Sequence, residues 1–215
     1  MTCKVARAEP PAGSPPHTPL HGSRTAASHL AASTNRNVAS VLALSGSLRG
    51  KSLNTAMLRM AALCAPLGLS VRVHAGFGHL PLFNPDLDDP EPPGVACLRR
   101  DIAAADGILI ASPEYAHGVS GVLKNALDWM VASGVLVNKP IALWNAAPRA
   151  SHGLAAARET LSVMSAKLVS TADLALLIQA DPSGQSPHNP DESAMTRALE
   201  AFMAELIVSR RLDKT

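Results

Sequence analysis

Short apolar runs and longer amphipathic stretches alternate along the chain from Val38 onward. The runs have the length and the Val, Ile and Leu content of buried strands, and the stretches repeat apolar residues every three or four positions, as helices do. The runs predict strands at residues 38–44, 69–74, 107–111, 140–144 and 168–178. The stretches predict helices at residues 54–65, 95–105, 120–132, 153–167 and 193–209. This alternation is typical of a parallel sheet whose two faces are covered by helices.

The predicted fold class is α/β, a flavodoxin-like three-layer sandwich with a five-stranded parallel sheet in the order 2-1-3-4-5. This order is favoured because a polar loop of small residues follows the first strand. In such a sheet the first and third strands border the point where the strand order reverses, and ligands bind there beyond the carboxyl ends of the strands. The loops that follow the strands are therefore where functional residues are expected.

Residues 1–37 are rich in Pro, Ala, Ser, Thr and His and lack apolar periodicity, which predicts a disordered tail. Residues 38–212 are predicted to form one domain. Glu9 is the only acid of the tail, so its composition overlaps with that of transit peptides, but it has no apolar stretch like that of a secretory signal. We prefer a plain disordered extension, or a start codon assigned too far upstream, over a targeting segment. We expect a cytoplasmic location.

Composition excludes several classes of function. The 215 residues carry a net charge of +2 and no dense stripe of Lys and Arg, so nucleic acid is not expected as a partner. The three cysteines, Cys3, Cys64 and Cys97, are odd in number and widely spaced, which suggests neither a disulfide framework nor a zinc site. No uninterrupted apolar run is long enough to span a membrane.

The first loop, residues 45–54, follows the first predicted strand and has the composition of a phosphate site. It leads into a helix, whose free N–H groups and positive dipole end attract an anion. Arg49 can fork onto two phosphate oxygens, and Ser47, Ser52 and Asn54 add neutral donors. The loop contains no acid that would repel a phosphate.

Several interpretations of the first loop stay open. It is not the G-x-G-x-x-G of a dinucleotide fold, because Gly46 and Gly50 have the wrong spacing. It resembles the P-loop of nucleotide hydrolases in its Gly50-Lys51-Ser52 ending, but Ser45 stands where the first Gly of that motif belongs. The supporting Asp after a later strand is also missing. A flavodoxin-type loop that holds one phosphate, or an ordinary strand-to-helix turn, would fit as well.

The second loop, residues 112–121, should meet the first if the strand order is right. Tyr115 is the single tyrosine of the chain, and its flat ring could pack on a flat ligand such as an isoalloxazine. Pro113 would stiffen the loop. The alternative is that Tyr115 is a surface turn residue and Glu114 an acid at the entry of a helix.

The third loop, residues 145–153, is expected at the same edge of the sheet. Asn145 and Ser151 could touch the polar edge of a flavin. Arg149 could attract the additional phosphate of NADPH, or could simply be solvated. His117 and His152 are the two histidines of these loops, and two histidines from separate loops do not predict a metal site.

Three ordered motifs together resemble the NADPH-dependent FMN reductase family, over roughly residues 38–169. They are Gly46-Ser47-Leu48-Arg49-x-x-Ser52-x-Asn54, Ser112-Pro113-Glu114-Tyr115 and Gly121-x-Leu123-Lys124-Asn125-Ala126-Leu127-Asp128-Trp129. The resemblance implies a flavodoxin-like fold and FMN bound without a covalent bond. It also implies NADPH or NADH as the hydride donor, and free flavin, quinones, azo compounds or metal oxyanions as acceptors.

By position, the resemblance implies that one set of residues holds the FMN phosphate and another lies along the isoalloxazine. The phosphate set is Ser47, Arg49, Ser52 and Asn54, and the ring set is Pro113, Glu114 and Tyr115. The segment from Lys124 to Trp129 resembles the one by which such proteins dimerise, although Trp129 could equally be a core residue. We expect a homodimer or a homotetramer.

The chain departs from the family at two places. Ala116 stands where many members have Asn, and the third loop lacks the Gly-rich sequence that many members have. The alternative function is a flavodoxin-like electron carrier that binds FMN but does not itself oxidise NAD(P)H. Such carriers are usually strongly acidic, and the charge of +2 argues against one. A P-loop phosphotransferase is disfavoured by the missing Gly and Asp.

Overall fold

The computed structural model describes residues 38–180, 187–188 and 191–212. By its internal contacts the chain divides into residues 1–36 and 37–215, and all described residues belong to the second unit. The predicted tail at 1–37 lies outside the described residues. The domain limits of 38–212 therefore stay a prediction.

The described residues form five α-helices, ten strands and three short 3₁₀ helices. The α-helices are α1 Leu53–Leu63, α2 Pro93–Ala104, α3 Gly121–Val131, α4 His152–Val163 and α5 Glu192–Leu212. The strands are β1 Ala39–Ser45, β2 Leu69–Val73, β3 Gly107–Ala111, β4 Glu114–Tyr115, β5 Gly118–Val119, β6 Pro140–Asn145, β7 Lys167–Leu168, β8 Leu174–Ala175, β9 Gln179–Ala180 and β10 Pro187–His188. The 3₁₀ helices are Phe77–His79, Pro85–Leu87 and Ser170–Ala172.

The main sheet has the order β2-β1-β3-β6-β7, and every pairing in it is parallel. β8 also pairs with β6, beyond β7. This confirms the predicted flavodoxin-like α/β fold and its strand order. The difference is that the fifth strand consists of two pieces.

The central strands β1, β3 and β6 are buried on both faces, as their apolar runs predicted. In β1, Val41 and Ala43 belong to one apolar cluster, whereas Leu42 and Leu44 belong to the other. This follows from the two-residue period of a strand, which sends successive side chains to opposite faces. Helices α1 and α5 cover the first face, and α2, α3 and α4 contribute to the second.

The fifth strand, predicted within residues 168–178, is interrupted by the 3₁₀ helix Ser170–Ala172. The carboxylate of Asp173 replaces the missing backbone acceptor, because its Oδ1 accepts a 2.7 Å hydrogen bond from the N–H of Leu143 in β6. Its other oxygen accepts a hydrogen bond from Arg158. The apolar periodicity of the sequence does not show where a side chain replaces a backbone hydrogen-bond acceptor.

Asp173→Ala is expected to reduce the free energy of unfolding by about 1–3 kcal/mol, because it leaves a buried backbone N–H without an acceptor. Urea unfolding followed by circular dichroism would measure this. The matched control is Asp173→Asn, which keeps an acceptor oxygen for Leu143 and loses only the ion pair with Arg158. Equal losses in both variants would show that the ion pair, rather than the backbone bond, stabilises the break.

The long connection between β2 and α2 is attached to α3. Nδ2 of Asn125 donates to the Pro81 carbonyl at 3.0 Å, and its Oδ1 accepts from the N–H of Phe83 at 2.8 Å. The indole N–H of Trp129 donates to the same Pro81 carbonyl at 2.8 Å, and its ring meets that of Phe83 edge-on. Trp129 is fully buried, so it is a core residue of the protomer.

Within the part of the chain that the structure describes, no helix is long and apolar enough to cross a membrane.

Candidate functional site

The first and second loops meet, as the strand order requires. Ser45 pairs with Ala111 in the sheet, and the N–H of Gly46 donates to the Ala111 carbonyl at 2.9 Å. A Cβ atom on Gly46 would lie 2.3 Å from Oγ of Ser112 and 2.8 Å from Oγ of Ser120. Only a glycine allows the two loops to approach this closely.

Serine hydroxyls shape the first loop from within. Oγ of Ser45 lies 2.7 Å from Oγ1 of Thr55 and accepts a 3.3 Å hydrogen bond from the N–H of Ser47. Ser52 caps α1, since its Oγ accepts from the N–H of Thr55 at 3.2 Å. The loop therefore has a defined conformation at the N-terminus of a helix.

The first loop also keeps donors that no protein group uses. The backbone N–H groups of Leu48, Gly50 and Lys51 have no acceptor among the described residues. The side chains of Arg49 and Lys51 are exposed and form no ion pair within the described ranges. Backbone donors, a helix N-terminus and two cations fit a phosphate group.

Asn54 also makes a contact that its position in the sequence did not predict. Its Oδ1 accepts a 3.2 Å hydrogen bond from the N–H of Ala146, which joins the start of α1 to the third loop. Asn54 is buried, and its amino group keeps its capacity to donate. The Asn54 side chain thus holds the third loop against the start of α1, and its NH2 group can still donate a hydrogen bond to a phosphate.

The second loop is a β-hairpin, a feature that the sequence did not predict. β4 and β5 pair through a two-residue turn at Ala116 and His117, with φ values of 49° and 59°. Such turns usually carry Asn-Gly or Asp-Gly, and neither is present here. Asn tolerates a positive φ better than Ala does, so the departure from the family at residue 116 removes the residue type best suited to this turn.

The hairpin is docked on the N-terminus of α4. Oε2 of Glu114 accepts a 2.8 Å hydrogen bond from the N–H of Gly153. The rings of His117 and His152 stack with centroids 4.2 Å apart. A Cβ on Gly153 would lie 2.9 Å from the Gly118 carbonyl oxygen, so this approach also requires glycine.

These contacts change the interpretation of the second loop. Tyr115 is 62% exposed and is free to face a ligand. Glu114 is half-buried and uses its carboxylate at the helix N-terminus, so only its remaining surface is available for a ring. The positions of Pro113, Glu114 and Tyr115 along an isoalloxazine remain predictions. No group of three or more His, Cys, Asp or Glu side chains in the described ranges is arranged to hold a metal ion.

Asn145 closes the third loop on itself. It is buried, its Nδ2 donates to the Ala150 carbonyl at 2.8 Å, and its Oδ1 accepts from the N–H of Ala147 at 2.8 Å. Its role is therefore first of all to shape the loop. Ser151 is exposed next to the first turn of α4 and makes no side-chain cap bond, so it is the more accessible of the two predicted ring-edge residues.

His74, whose pKa is shifted, follows β2, the strand that pairs with β1. Burial lowers the pKa of His74, and the hydrogen bond between its Nδ1 and Asp101, 3.1 Å long, opposes this shift. The N–H of His74 donates to the Ala43 carbonyl of β1 at 2.8 Å. A neutral imidazole is thus favoured beside the strand that leads into the first loop.

Two large cavities lie at the opposite edge of the sheet. One, of about 510 Å³, is lined by the ends of α3 and α4, including Met130 and Met164. The other, of about 600 Å³, is lined by residues around the N-terminal ends of β3, β6 and β7, including Asp106 and Lys167, and by the end of α5. Neither adjoins the three loops, so cavity size does not identify the site here.

A model of the NADPH-dependent FMN reductase family matches residues 39–182. A probable NADPH:quinone oxidoreductase 2 of Oryza sativa subsp. japonica is 45% identical over 101 residues, which are 45% of this chain and 50% of that protein. An NAD(P)H-dependent FMN reductase of Pseudomonas aeruginosa is 46% identical over 90 residues, which are 41% and 48% of the two chains. This chain thus matches about half the length of these curated relatives.

The chain is also similar to solved structures of flavoenzymes. The flavoenzyme NAD(P)H:(acceptor) oxidoreductase FerB of Paracoccus denitrificans superimposes with a TM-score of 0.69 at 25% identity, covering 79% of this chain and 97% of that one. The apo form of an NADH:FMN oxidoreductase, at a TM-score of 0.55 and 20% identity over 78% and 90% of the two chains, shares the fold. Because the family model matches more than half of the residues, from the first strand to residue 182, the chain belongs to the NADPH-dependent FMN reductase family.

Proposed function

We propose that this chain is an NAD(P)H-dependent FMN reductase. Bound FMN would supply the redox chemistry between NADPH or NADH as hydride donor and a small acceptor such as free flavin, a quinone, an azo compound or a metal oxyanion. The observation that carries the proposal is the first loop, whose unused donors and two cations lie beside the hairpin of Tyr115 at the reversal point of the sheet.

Different residues are assigned to different parts of the cofactor. Backbone N–H groups of the first loop and the helix N-terminus bind the phosphate. The side chains assigned to that phosphate are Ser47, Arg49, Ser52 and Asn54. Pro113, Glu114 and Tyr115 are the residues assigned to the ring. Contacts with α4 hold the hairpin that carries Glu114 and Tyr115. Asn145 sets the shape of the third loop, and Ser151 adds a donor at the ring edge.

The function is tested by the absorbance spectrum of the purified protein after FMN is added and the excess removed, followed by anaerobic titration with NADPH. A retained flavin spectrum that bleaches supports the reductase. A retained flavin that stays oxidised favours the electron carrier instead. If no flavin is retained and steady-state NADPH oxidation does not rise with added FMN, the proposal is wrong.

Arg49→Ala is expected to weaken FMN binding by roughly tenfold to a hundredfold, because a charge-assisted hydrogen bond to phosphate contributes about 1.5–3 kcal/mol. The side chain is exposed and unpaired within the described residues, so the thermal midpoint should not change. Quenching of FMN fluorescence measures the affinity. Arg59→Ala, which removes an exposed charge in the middle of α1, is the matched control. Unchanged FMN affinity in Arg49→Ala would show that the phosphate assignment is wrong.

We also propose a cytoplasmic homodimer or homotetramer. Asn125 and Trp129 serve the protomer itself, so an interface on α3 would have to use the exposed side of this helix. Lys124 and Asp128 form an ion pair there, at 2.6 Å. Sedimentation velocity would measure the assembly state.

A further inference from the structure

The third loop presents Arg149 on a stiff turn. The N–H of Ala150 donates to the Ala147 carbonyl at 2.8 Å, which closes a β-turn with Pro148 and Arg149 at its two central positions. Pro148 fixes its own φ, and Asn145 bonds the backbone at both ends of the turn. The turn is therefore held by three hydrogen bonds and a proline, while the arginine side chain is exposed.

The turn adjoins the candidate phosphate site. The bond from Ala146 to Asn54 ties the third loop to the first turn of α1. β3 lies between β1 and β6, so the two loops start two strand spacings apart, roughly 10 Å. An anion bound by the first loop would therefore be distinct from an anion bound by Arg149. Two elongated ligands bound side by side could supply one anion to each.

The charges of the three loops favour anions. They contain Arg49, Lys51 and Arg149, and Glu114 is their one carboxylate. That carboxylate already accepts the N–H of Gly153. Arg149 has no ion pair and no side-chain hydrogen bond with the described residues. Since Arg49 and Lys51 belong to the first loop, Arg149 is the cation left for a second anionic group.

We propose that Arg149 binds the 2′-phosphate of NADPH and thereby makes this protein prefer NADPH to NADH. The proposal rests on the proposed reductase function. The two dinucleotides differ only in this phosphate, so discrimination requires a cation that the FMN phosphate does not occupy. A guanidinium matches a phosphate with two parallel hydrogen bonds, and a turn that is already rigid loses little conformational entropy on binding.

The test uses the full chain loaded with FMN, in the wild type, Arg149→Ala and Arg149→Glu. The matched control is Arg100→Ala, which removes an exposed charge near the end of α2. Calorimetry measures the binding of adenosine 2′,5′-bisphosphate and of AMP, which need no turnover. Steady-state kinetics then gives KM and kcat for NADPH and for NADH.

Arg149→Ala should weaken adenosine 2′,5′-bisphosphate binding about tenfold and leave AMP binding within about twofold. KM for NADPH should rise by a similar factor with kcat unchanged, and KM for NADH should stay the same. Arg149→Glu should weaken the binding of adenosine 2′,5′-bisphosphate further, and Arg100→Ala should leave it unchanged. If Arg149→Ala keeps the wild-type ratio of NADPH to NADH specificity, the inference is wrong while the reductase function stands. If the wild type oxidises neither dinucleotide in the presence of FMN, both are wrong.

Discussion

Gly46→Ala is expected to destabilise the protein by about 1–3 kcal/mol and to abolish retention of FMN through gel filtration. The added Cβ would lie 2.3 Å from Oγ and 2.7 Å from Cβ of Ser112, and 2.8 Å from Oγ of Ser120. Rotation of Ser112 could move its hydroxyl, but its Cβ is fixed to the backbone that follows β3. The first two loops must therefore separate, and the proposed binding surface lies on both of them.

The same loop supplies the matched control for Gly46. A Cβ on Gly50 would have no described atom within 4 Å, so Gly50→Ala should leave the fold nearly unchanged. Thermal unfolding and FMN fluorescence would be measured for both variants. A second variant, Gly46→Ala with Ser112→Gly, removes two of the three clashes and should recover part of the stability. Identical behaviour of Gly46→Ala and Gly50→Ala would contradict the close packing of these loops.

Trp129→Ala is expected to reduce the free energy of unfolding by about 3–5 kcal/mol, the largest loss among these variants. The indole is fully buried, and its loss would leave a large cavity under the connection between β2 and α2. It would also remove the edge-on contact with Phe83, whose ring centroid lies 5.1 Å away. The segment around Pro81 should then exchange its amide hydrogens faster than the sheet does.

Trp129→Phe separates packing from hydrogen bonding. It removes the indole N–H, but the Pro81 carbonyl keeps the hydrogen bond from Asn125, so no buried acceptor is left unpaired. The loss of stability should therefore be clearly smaller than in Trp129→Ala. Urea unfolding and hydrogen exchange of the Phe83 amide would measure both effects. A loss in Trp129→Phe as large as in Trp129→Ala would show that the hydrogen bond outweighs the packing.

Local patterns determined most of the fold. The apolar run Gly107–Ala111 was predicted with its observed limits, because a strand buried on both faces has no polar interruption. The helices were placed to within about two residues at most ends, since amphipathic periodicity and the Ser52 cap are local signals. The last helix and the fourth were less well bounded: α5 extends to Leu212, and α4 ends at Val163.

Contacts between distant residues could not be predicted in this way. Asp173 replaces a backbone acceptor of a residue 30 positions away, and Asn54 braces a loop 92 positions away. Neither partner can be identified from spacing along the chain. The hairpin at Ala116 and His117 was missed because its turn lacks the usual Asn-Gly signal and is held instead by α4.

The α/β class, the strand order and the three loops of the candidate site could be predicted from the sequence, because apolar periodicity and loop composition are properties of short segments. What each polar side chain in those loops does depends on the tertiary structure. Asn145 and Glu114 use the polar groups of their side chains within the protein, whereas the guanidinium groups of Arg49 and Arg149 have no polar partner among the described residues. Buried polar groups require a hydrogen-bond partner, and which groups are buried depends on how distant strands and helices pack.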